Sequence, residues 1–191
     1  FVRIGLPTDM EAVLLIEQDG APEVVERDMA KSAEICKEEG AVSVQVAESI
    51  EQAEALTTAR RYALSALARL KPTTILEDAT VPRSEIAKMV AAINEIAEKY
   101  QVNICTFGHA GDGNLHPTCL TDSRNKNEIH RVELAFEEIF HRAIELGGTI
   151  TGEHGVGVMK APYLELKLGV EGINVMKGIK QALDPHNIMN P

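Results

Sequence analysis

Two glycine-rich segments carry the side chains best suited to acid–base or metal chemistry. The first runs from Gly108 to His116 and contains two histidines seven positions apart. The second, residues 149–157, contains the adjacent pair Glu153 and His154. Glycine allows a backbone to approach a ligand closely or to take a positive φ. Imidazole and carboxylate groups bind divalent cations and exchange protons near neutral pH. The two segments together predict a functional site.

The histidines and the glutamate form a donor set typical of a divalent cation. Two imidazoles, from His109 and His116, and the carboxylate of Glu153 would leave one coordination position open for a substrate. A hairpin would bring the two imidazoles to one point. Neighbouring side chains of an extended segment point to opposite sides, so we expect Glu153 to bind the cation and His154 to act as a base. The alternative is that all four are surface residues and the glycines form a tight turn.

Arg60 is a candidate for binding an anion. It lies about 40° from Leu56 on a helical projection, which places it on an apolar stripe. A guanidinium there could bind a substrate carboxylate through two hydrogen bonds. It could equally pair with a buried acidic residue, or pack its stem and keep its charge in water. Arg83 and Lys160 are weaker candidates for the same role.

The composition excludes several classes of protein. The 191 residues, 45% hydrophobic and 25% charged, are those of a globular protein with a proper core. A net charge of −10 argues against nucleic-acid binding. We expect neither a membrane span nor a signal peptide, because no apolar run is long enough. Three cysteines without a CxxC spacing predict reduced thiols in a cytosolic protein. The start at Phe1, without a methionine, predicts a piece of a longer polypeptide.

Hydrophobic periodicity predicts the order β-α-β-α-β-α-β-β-α-loop-α. The predicted strands cover residues 13–17, 42–46, 75–81, 102–107 and 115–120. The predicted helices begin near Pro22, Ser49 and Pro82, and two more lie within 129–146 and 175–183. Ser49 and Gln52 form a capping box for the second helix. This order indicates an α+β fold with helices on one face of a mostly antiparallel sheet, and the competing architecture is a parallel doubly wound sheet.

Three segments resemble, in the same order, the motifs of a known family. They are residues 108–117, 152–157 and 183–191, and they resemble the C-terminal domain of FAD-linked oxidases. This group includes the flavin subunit of glycolate oxidase, D-lactate dehydrogenases and D-2-hydroxyglutarate dehydrogenase. The resemblance covers nearly the whole chain. It implies that residues 1–191 form a duplicated ferredoxin-like domain, the substrate-binding cap, and that an FAD-binding domain precedes Phe1.

The resemblance also implies roles for the residues of the two glycine-rich segments. It assigns the metal ligands to His109, His116 and Glu153. It makes His154 the base that takes the hydroxyl proton while a hydride leaves the substrate for the flavin. The implied cofactors are therefore FAD, bound mainly by the other domain, and a divalent metal, expected to be zinc.

Further positions concern the substrate and the flavin. The resemblance implies that Arg60 holds the substrate carboxylate, although the tryptophan often found three residues earlier is Thr57 here. It places Asn190 close to the flavin ring. Thr118, a substrate-binding candidate, replaces an asparagine of the D-2-hydroxyglutarate branch, and Leu76 replaces a lysine. Both replacements favour a 2-hydroxy acid with a single carboxylate.

The implied activity is oxidation of glycolate or D-lactate to the 2-oxo acid, with hydride transfer to FAD. The expected partners are the FAD-binding domain and an iron–sulfur or other electron-transfer subunit. We expect a cytoplasmic location, peripheral to the inner membrane, and no activity of this chain by itself. The alternatives are the cap domain of an FAD-linked alcohol or phenol oxidase and a non-catalytic metal-binding domain.

Overall fold

The structure, a computed structural model, describes residues 10–191, which divide into two compact units. The first unit, up to Leu67, contains helices α1 (Pro22–Glu38) and α2 (Ile50–Leu67). The Ser49 half of the predicted capping box is confirmed, because the Gln52 amide donates to Ser49 Oγ at 3.3 Å, whereas Gln52 Oε1 accepts the amide of Glu48, one residue before Ser49, at 2.8 Å. The two helices predicted to begin near Pro22 and Ser49 are both confirmed, because α1 begins at Pro22 and α2 at Ile50.

The two strands predicted at 13–17 and 42–46 are wrong. Neither segment has strand structure, and the described part of the first unit offers no strand with which they could pair. The alternation of Val42, Val44 and Val46 suggested a half-buried strand, yet Val42 is 82% exposed. An alternating pattern produces a strand only where a neighbour completes the hydrogen bonds of its backbone.

The second unit, from Ala68, is built on one antiparallel sheet. Its strands are β1 (Thr73–Leu76), β2 (Ala79–Thr80), β3 (Asn103–His109) and β4 (Asn114–Thr121). Strand β4 lies at the centre, with β3 along one side and β1 followed by β2 along the other. Every residue of β4 is buried. The predicted strand 75–81 is thus interrupted at Glu77 and Asp78, between β1 and β2.

A short turn joins β3 to β4, as predicted. The Asp112 amide donates to the carbonyl of His109 at 3.0 Å, and Gly113 has a φ of +76°. A Cβ atom on Gly113 would lie 2.0 Å from the carbonyl oxygen of Val81, so only glycine fits. The same close approach lets the Val81 amide donate to the Gly113 carbonyl at 2.9 Å.

Helices α3 (Ile86–Tyr100) and α4 (Lys126–Glu145) cover one face of this sheet. Along β4 successive side chains alternate between the two faces. Leu115 and Cys119 point into the core shared with the helices, so His116 and Thr118 belong to the opposite face. The side chains of the helices that complete the core include Met89, Ile93, Ile96, Val132, Phe136, Ile139 and Phe140.

The chain ends with the short helix α5 (Gly157–Lys160) and the long helix α6 (Leu164–Leu183), which has a non-helical residue at Gly169. Within residues 10–191, no helix is long and apolar enough to cross a membrane. The α+β class with an antiparallel sheet is confirmed, and the parallel alternative is wrong. The duplication of the unit stays a prediction.

Candidate metal centre

Three elements of the second unit bring the predicted ligands together. His109 is the last residue of β3, His116 lies in β4, and Glu153 lies in the loop before α5. Glu153 Oε1 is 3.1 Å from His116 Nε2 and 3.7 Å from His109 Nε2. One ligand atom from each of the three residues lies within 4.8 Å of the others. The hairpin therefore supplies two imidazoles and the loop supplies the carboxylate.

The two distances from Glu153 Oε1 fit a single divalent cation. Tetrahedral bonds of about 2.1 Å place ligand atoms about 3.4 Å apart, between the two distances measured from Glu153 Oε1. Burial lowers the pKa of His116, and the neighbouring His154 lowers it further, which favours the neutral imidazole that binds metals. His116 is buried, while His109 and Glu153 are partly open to solvent. The donor set is thus accessible from one side.

His154 belongs to the same cluster. Its ring stacks on that of His116 with centroids 4.8 Å apart and planes 13° from parallel. Its Nε2 atom lies 3.7 Å from Glu153 Oε1. The expectation that Glu153 and His154 point in opposite directions is therefore wrong. The segment is not extended, because its backbone turns around a buried carboxylate.

That carboxylate belongs to Asp78, a residue that the sequence analysis did not select. Its Oδ2 atom accepts four hydrogen bonds, from Thr151 Oγ1 and from the amides of Gly152, Glu153 and His154, at 2.8–3.0 Å. Burial alone would raise the pKa of Asp78, but these four donors together lower it to about 2. The aspartate is therefore ionised at neutral pH and holds the loop that carries Glu153.

Gly152 allows this loop to lie against the sheet. A Cβ atom there would be 2.3 Å from Thr80 Oγ1 and 2.9 Å from the side chain of Asn114. Thr80 Oγ1 in turn donates to Asn114 Oδ1 at 3.0 Å, which fixes both side chains. Gly152 is therefore required, because the loop packs closely against β2 and β4 at this residue.

Comparison with known proteins agrees with the resemblance of the three sequence motifs. The family described as "FAD linked oxidases, C-terminal domain" matches residues 2–191. The chain belongs to this family.

Several curated relatives of this FAD-linked oxidase domain match the chain along its length. It is 73% identical over 191 residues to the glycolate oxidase subunit GlcD of Bacillus subtilis, covering all of the chain and 41% of that protein. It is 31% identical to GlcD of Escherichia coli K12, covering all of the chain and 38% of that protein. It is 33% identical to a D-lactate dehydrogenase of Anaerostipes hadrus, covering 96% of the chain and 39% of that protein. The chain thus spans about two fifths of the length of these relatives.

The two substrate-binding candidates of this FAD-linked oxidase domain lie in different units. Arg60 is on α2, in the first unit, and is exposed to solvent. Thr118 is on β4, in the second unit, and is fully buried. Its hydroxyl donates to the carbonyl of His116 at 3.1 Å. In the sheet Thr118 pairs with Leu76, so the two positions that differ from the D-2-hydroxyglutarate branch are neighbours.

Asn190, the flavin-contacting candidate, is exposed and has a φ of +53°. It follows a segment that Asp184 organises from the end of α6. The carboxylate of Asp184 accepts the amides of Ile188 and Met189, each at 2.9 Å, and pairs with Lys180. The terminal motif is therefore anchored to the end of α6 by the buried Asp184, together with Lys180, which donates to the carbonyl of Met189.

Lys160, considered as an anion-binding residue, is instead buried in an internal ion pair. Its Nζ atom lies 3.3 Å from Glu77 Oε2 and donates to the carbonyl of Asp78 at 3.3 Å. Arg83, the other weaker candidate, is exposed in the turn that precedes α3. The signal for Glu77 and Asp78 was present in the sequence, because two acidic residues in the middle of an apolar strand indicate buried carboxylates with specific partners.

Proposed function

We propose that this chain is the substrate- and metal-binding part of an FAD-dependent 2-hydroxy-acid dehydrogenase or oxidase of the glycolate or D-lactate type. The single observation that carries the proposal is the convergence of His109, His116 and Glu153 within 4.8 Å. The relatives named as glycolate oxidase subunit and D-lactate dehydrogenase support the class of substrate. An FAD-binding domain would belong to the same longer protein, ahead of residues 1–191.

The proposed metal ligands are His109, His116 and Glu153, with zinc as the first choice of ion. A divalent cation bound there would act as a Lewis acid that lowers the pKa of a substrate hydroxyl. The negative charge of Glu153 and the neutral imidazole of His116 are the protonation states that such an ion needs. The partial exposure of His109 and Glu153 leaves a side from which a small alcohol can enter.

His154 is the proposed base. Its Nε2 atom lies 3.7 Å from Glu153 Oε1, so the proposed base stands directly beside the proposed metal ligands. In the proposed reaction His154 would take the proton of the 2-hydroxyl group, the hydrogen on the carbon that carries this hydroxyl would leave as a hydride to FAD, and the 2-oxo acid would remain. FAD would supply the two-electron acceptor. Asn190 is the residue of this chain that we propose lies near the flavin.

Arg60 is proposed to bind the substrate carboxylate, since a guanidinium pairs with a carboxylate through two parallel hydrogen bonds. Thr118 is proposed to border the substrate from the strand that carries His116. Leu76 and Thr118 pair in the sheet. An apolar side chain and a single hydroxyl offer neither the charge nor the amide that a second substrate carboxylate would need. We therefore propose a monocarboxylic substrate.

The first experiment tests the metal centre by elemental analysis and Zn²⁺ titration of the chain. His109→Ala should weaken Zn²⁺ binding more than about tenfold, because even partners behind the ligands contribute 10–100-fold. The control is His130→Ala, a histidine exposed on α4, which should bind as the wild type does. Loss of metal with an unchanged circular dichroism spectrum supports the site. Loss of fold together with metal would indicate a structural ion, and a wild type without affinity for Zn²⁺ would overturn the centre.

A second experiment tests the reaction in the longer flavoprotein. Short 2-hydroxy acids are offered with a dye as electron acceptor, and we expect turnover of glycolate or D-lactate above that of D-2-hydroxyglutarate. His154→Gln should lower kcat with little change in Zn²⁺ content. The 191-residue chain alone should be inactive and should carry no flavin absorbance. Preferred turnover of D-2-hydroxyglutarate would contradict the assignment of a monocarboxylic substrate.

The remaining partners follow from the same proposal. Electrons from the flavin would pass to an iron–sulfur or other electron-transfer subunit. We propose a cytoplasmic location, with attachment at the periphery of the inner membrane through that partner. Co-purification of the longer flavoprotein with its neighbours is the direct measurement.

A further inference from the structure

Asp78 lies at the interruption between β1 and β2 and is fully buried. Its two carboxylate oxygens face different parts of the metal centre. Oδ2 accepts the four hydrogen bonds from residues 151–154, as described above. Oδ1 lies 4.0 Å from Nδ1 of His116. One side chain therefore contacts both the loop that carries Glu153 and the strand that carries His116.

Two atoms on the side of Asp78 that faces His116 are buried and lack hydrogen bonds. Among the described residues, neither Asp78 Oδ1 nor His116 Nδ1 has a hydrogen-bond partner. Buried polar atoms are otherwise almost always paired. The separation of 4.0 Å is too long for a direct hydrogen bond, but a shift of about 1 Å or one bridging water would close it. Each atom is the available partner of the other.

We propose that Asp78 is a positioning residue that sets both halves of the metal centre. Through Oδ2 it fixes the backbone that aims Glu153 and His154. Through Oδ1 it favours the tautomer of His116 with the proton on Nδ1, which leaves the Nε2 lone pair for a cation held between His116 and Glu153. The inference rests on the proposed metal centre and concerns the tautomer that His116 takes when that cation is bound.

The isosteric variant Asp78→Asn separates the two roles from mere space filling. An asparagine has one oxygen and one NH2 group in place of two oxygens. If its oxygen faces the loop, the NH2 group faces His116 Nδ1 and favours the wrong tautomer. If its oxygen faces His116, the NH2 group meets four donors of the loop. Either orientation damages one half of the centre without changing the volume of the side chain.

The first readout is 15N and 1H NMR of histidines in the Zn²⁺-loaded chain. The wild type should show a His116 Nδ1–H signal shifted downfield by a hydrogen bond to Asp78, and Asp78→Asn should lose that shift or broaden the signal. The second readout is Zn²⁺ affinity, expected to fall 10–100-fold in Asp78→Asn. The control is Asp122→Asn, which removes another carboxylate of depressed pKa, one that pairs with Arg124 away from the centre.

A third readout uses the wild type bound to 113Cd²⁺, whose coupling to 15N identifies the ligating atom. Coupling to His116 Nε2 is expected, and coupling to Nδ1 would overturn the inference, because the ion would then lie on the side of Asp78. If Asp78→Asn does not fold, Thr151→Val removes one of the four donors and should weaken Zn²⁺ binding to a lesser extent.

The outcomes separate the two proposals. A wild type that binds neither Zn²⁺ nor Cd²⁺ overturns the proposed centre, whatever the tautomer. Normal Zn²⁺ binding by Asp78→Asn, or a Zn²⁺-loaded His116 whose Nδ1–H signal is the same in Asp78→Asn as in the wild type, overturns the positioning role and leaves the centre intact.

Discussion

Lys160 and Glu77 form a buried ion pair whose disruption should strongly destabilise the second unit. Lys160 is 3% exposed and Glu77 is 8% exposed, and their charged atoms lie 3.3 Å apart. The ammonium also donates to the carbonyl of Asp78. Lys160→Met keeps an unbranched side chain, one atom shorter, and removes its charge, so it leaves the carboxylate of Glu77 buried without its cation.

The size of the effect follows from the geometry. Two unit charges at 3.3 Å attract by about 5 kcal/mol at an effective dielectric constant of about 20. Removing one partner of a buried pair costs about 3–5 kcal/mol, because the remaining charge stays desolvated. Replacing both partners by apolar groups is often neutral. We therefore expect Lys160→Met to lose about 3–5 kcal/mol and the double variant Glu77→Met/Lys160→Met to recover a large part of it.

The assay is hydrogen exchange of the amides of β4. This strand is central and wholly buried, so its slowest amides exchange through global opening of the sheet and report the free energy of unfolding. Lys99→Met, which breaks the solvent-exposed pair with Glu138, is the matched control and should have a much smaller effect. A single variant as stable as the wild type, or a double variant less stable than the single one, would refute the reasoning.

Two further predictions concern packing. Gly152→Ala places a methyl group 2.3 Å from Thr80 Oγ1, so the loop must shift and Zn²⁺ affinity should fall more than about tenfold. The control is Gly178→Ala on α6, where the new Cβ meets no other part of the described chain within 4 Å, so Zn²⁺ affinity should not change. Equal Zn²⁺ affinities of the Gly152→Ala and Gly178→Ala variants would contradict the packing argument. Cys119 is fully buried, and burial raises its pKa to about 11, so iodoacetamide near pH 8 should modify Cys36 and spare Cys119 until a denaturant is added. Rapid native labelling of Cys119, followed by peptide mass spectrometry, would show that the core is open.

The β3–β4 hairpin and the grouping of its histidines could be predicted because their determinants are local. Gly113 lies in the turn, apolar runs flank it, and His109 and His116 lie on the strands on either side of it. The grouping with Glu153 agrees with the structure, whereas its role as a ligand stays a proposal. Local patterns suffice here because a tight hairpin fixes its own register.

The acidic pair Glu77 and Asp78 indicated buried carboxylates, but the partners of Asp78 could not be predicted, because they lie more than 70 positions away along the chain. The periodicity of residues 75–81 indicated one continuous strand and concealed the interruption at this residue. The wrong expectation for Glu153 and His154 has the same origin, since their directions depend on four hydrogen bonds to a distant carboxylate. Val42–Val46 shows the converse, a local pattern without a neighbour to realise it.

The hairpin contributes its two imidazoles from neighbouring parts of the chain, but Glu153 arrives only after α4 has crossed the sheet. Contacts close in sequence form early in folding, whereas distant ones are completed late. If the proposed cation needs all three groups, it would bind only the finished fold and stabilise it by mass action. Metal present during synthesis would then favour chains in which the loop that carries Glu153 has docked onto the sheet.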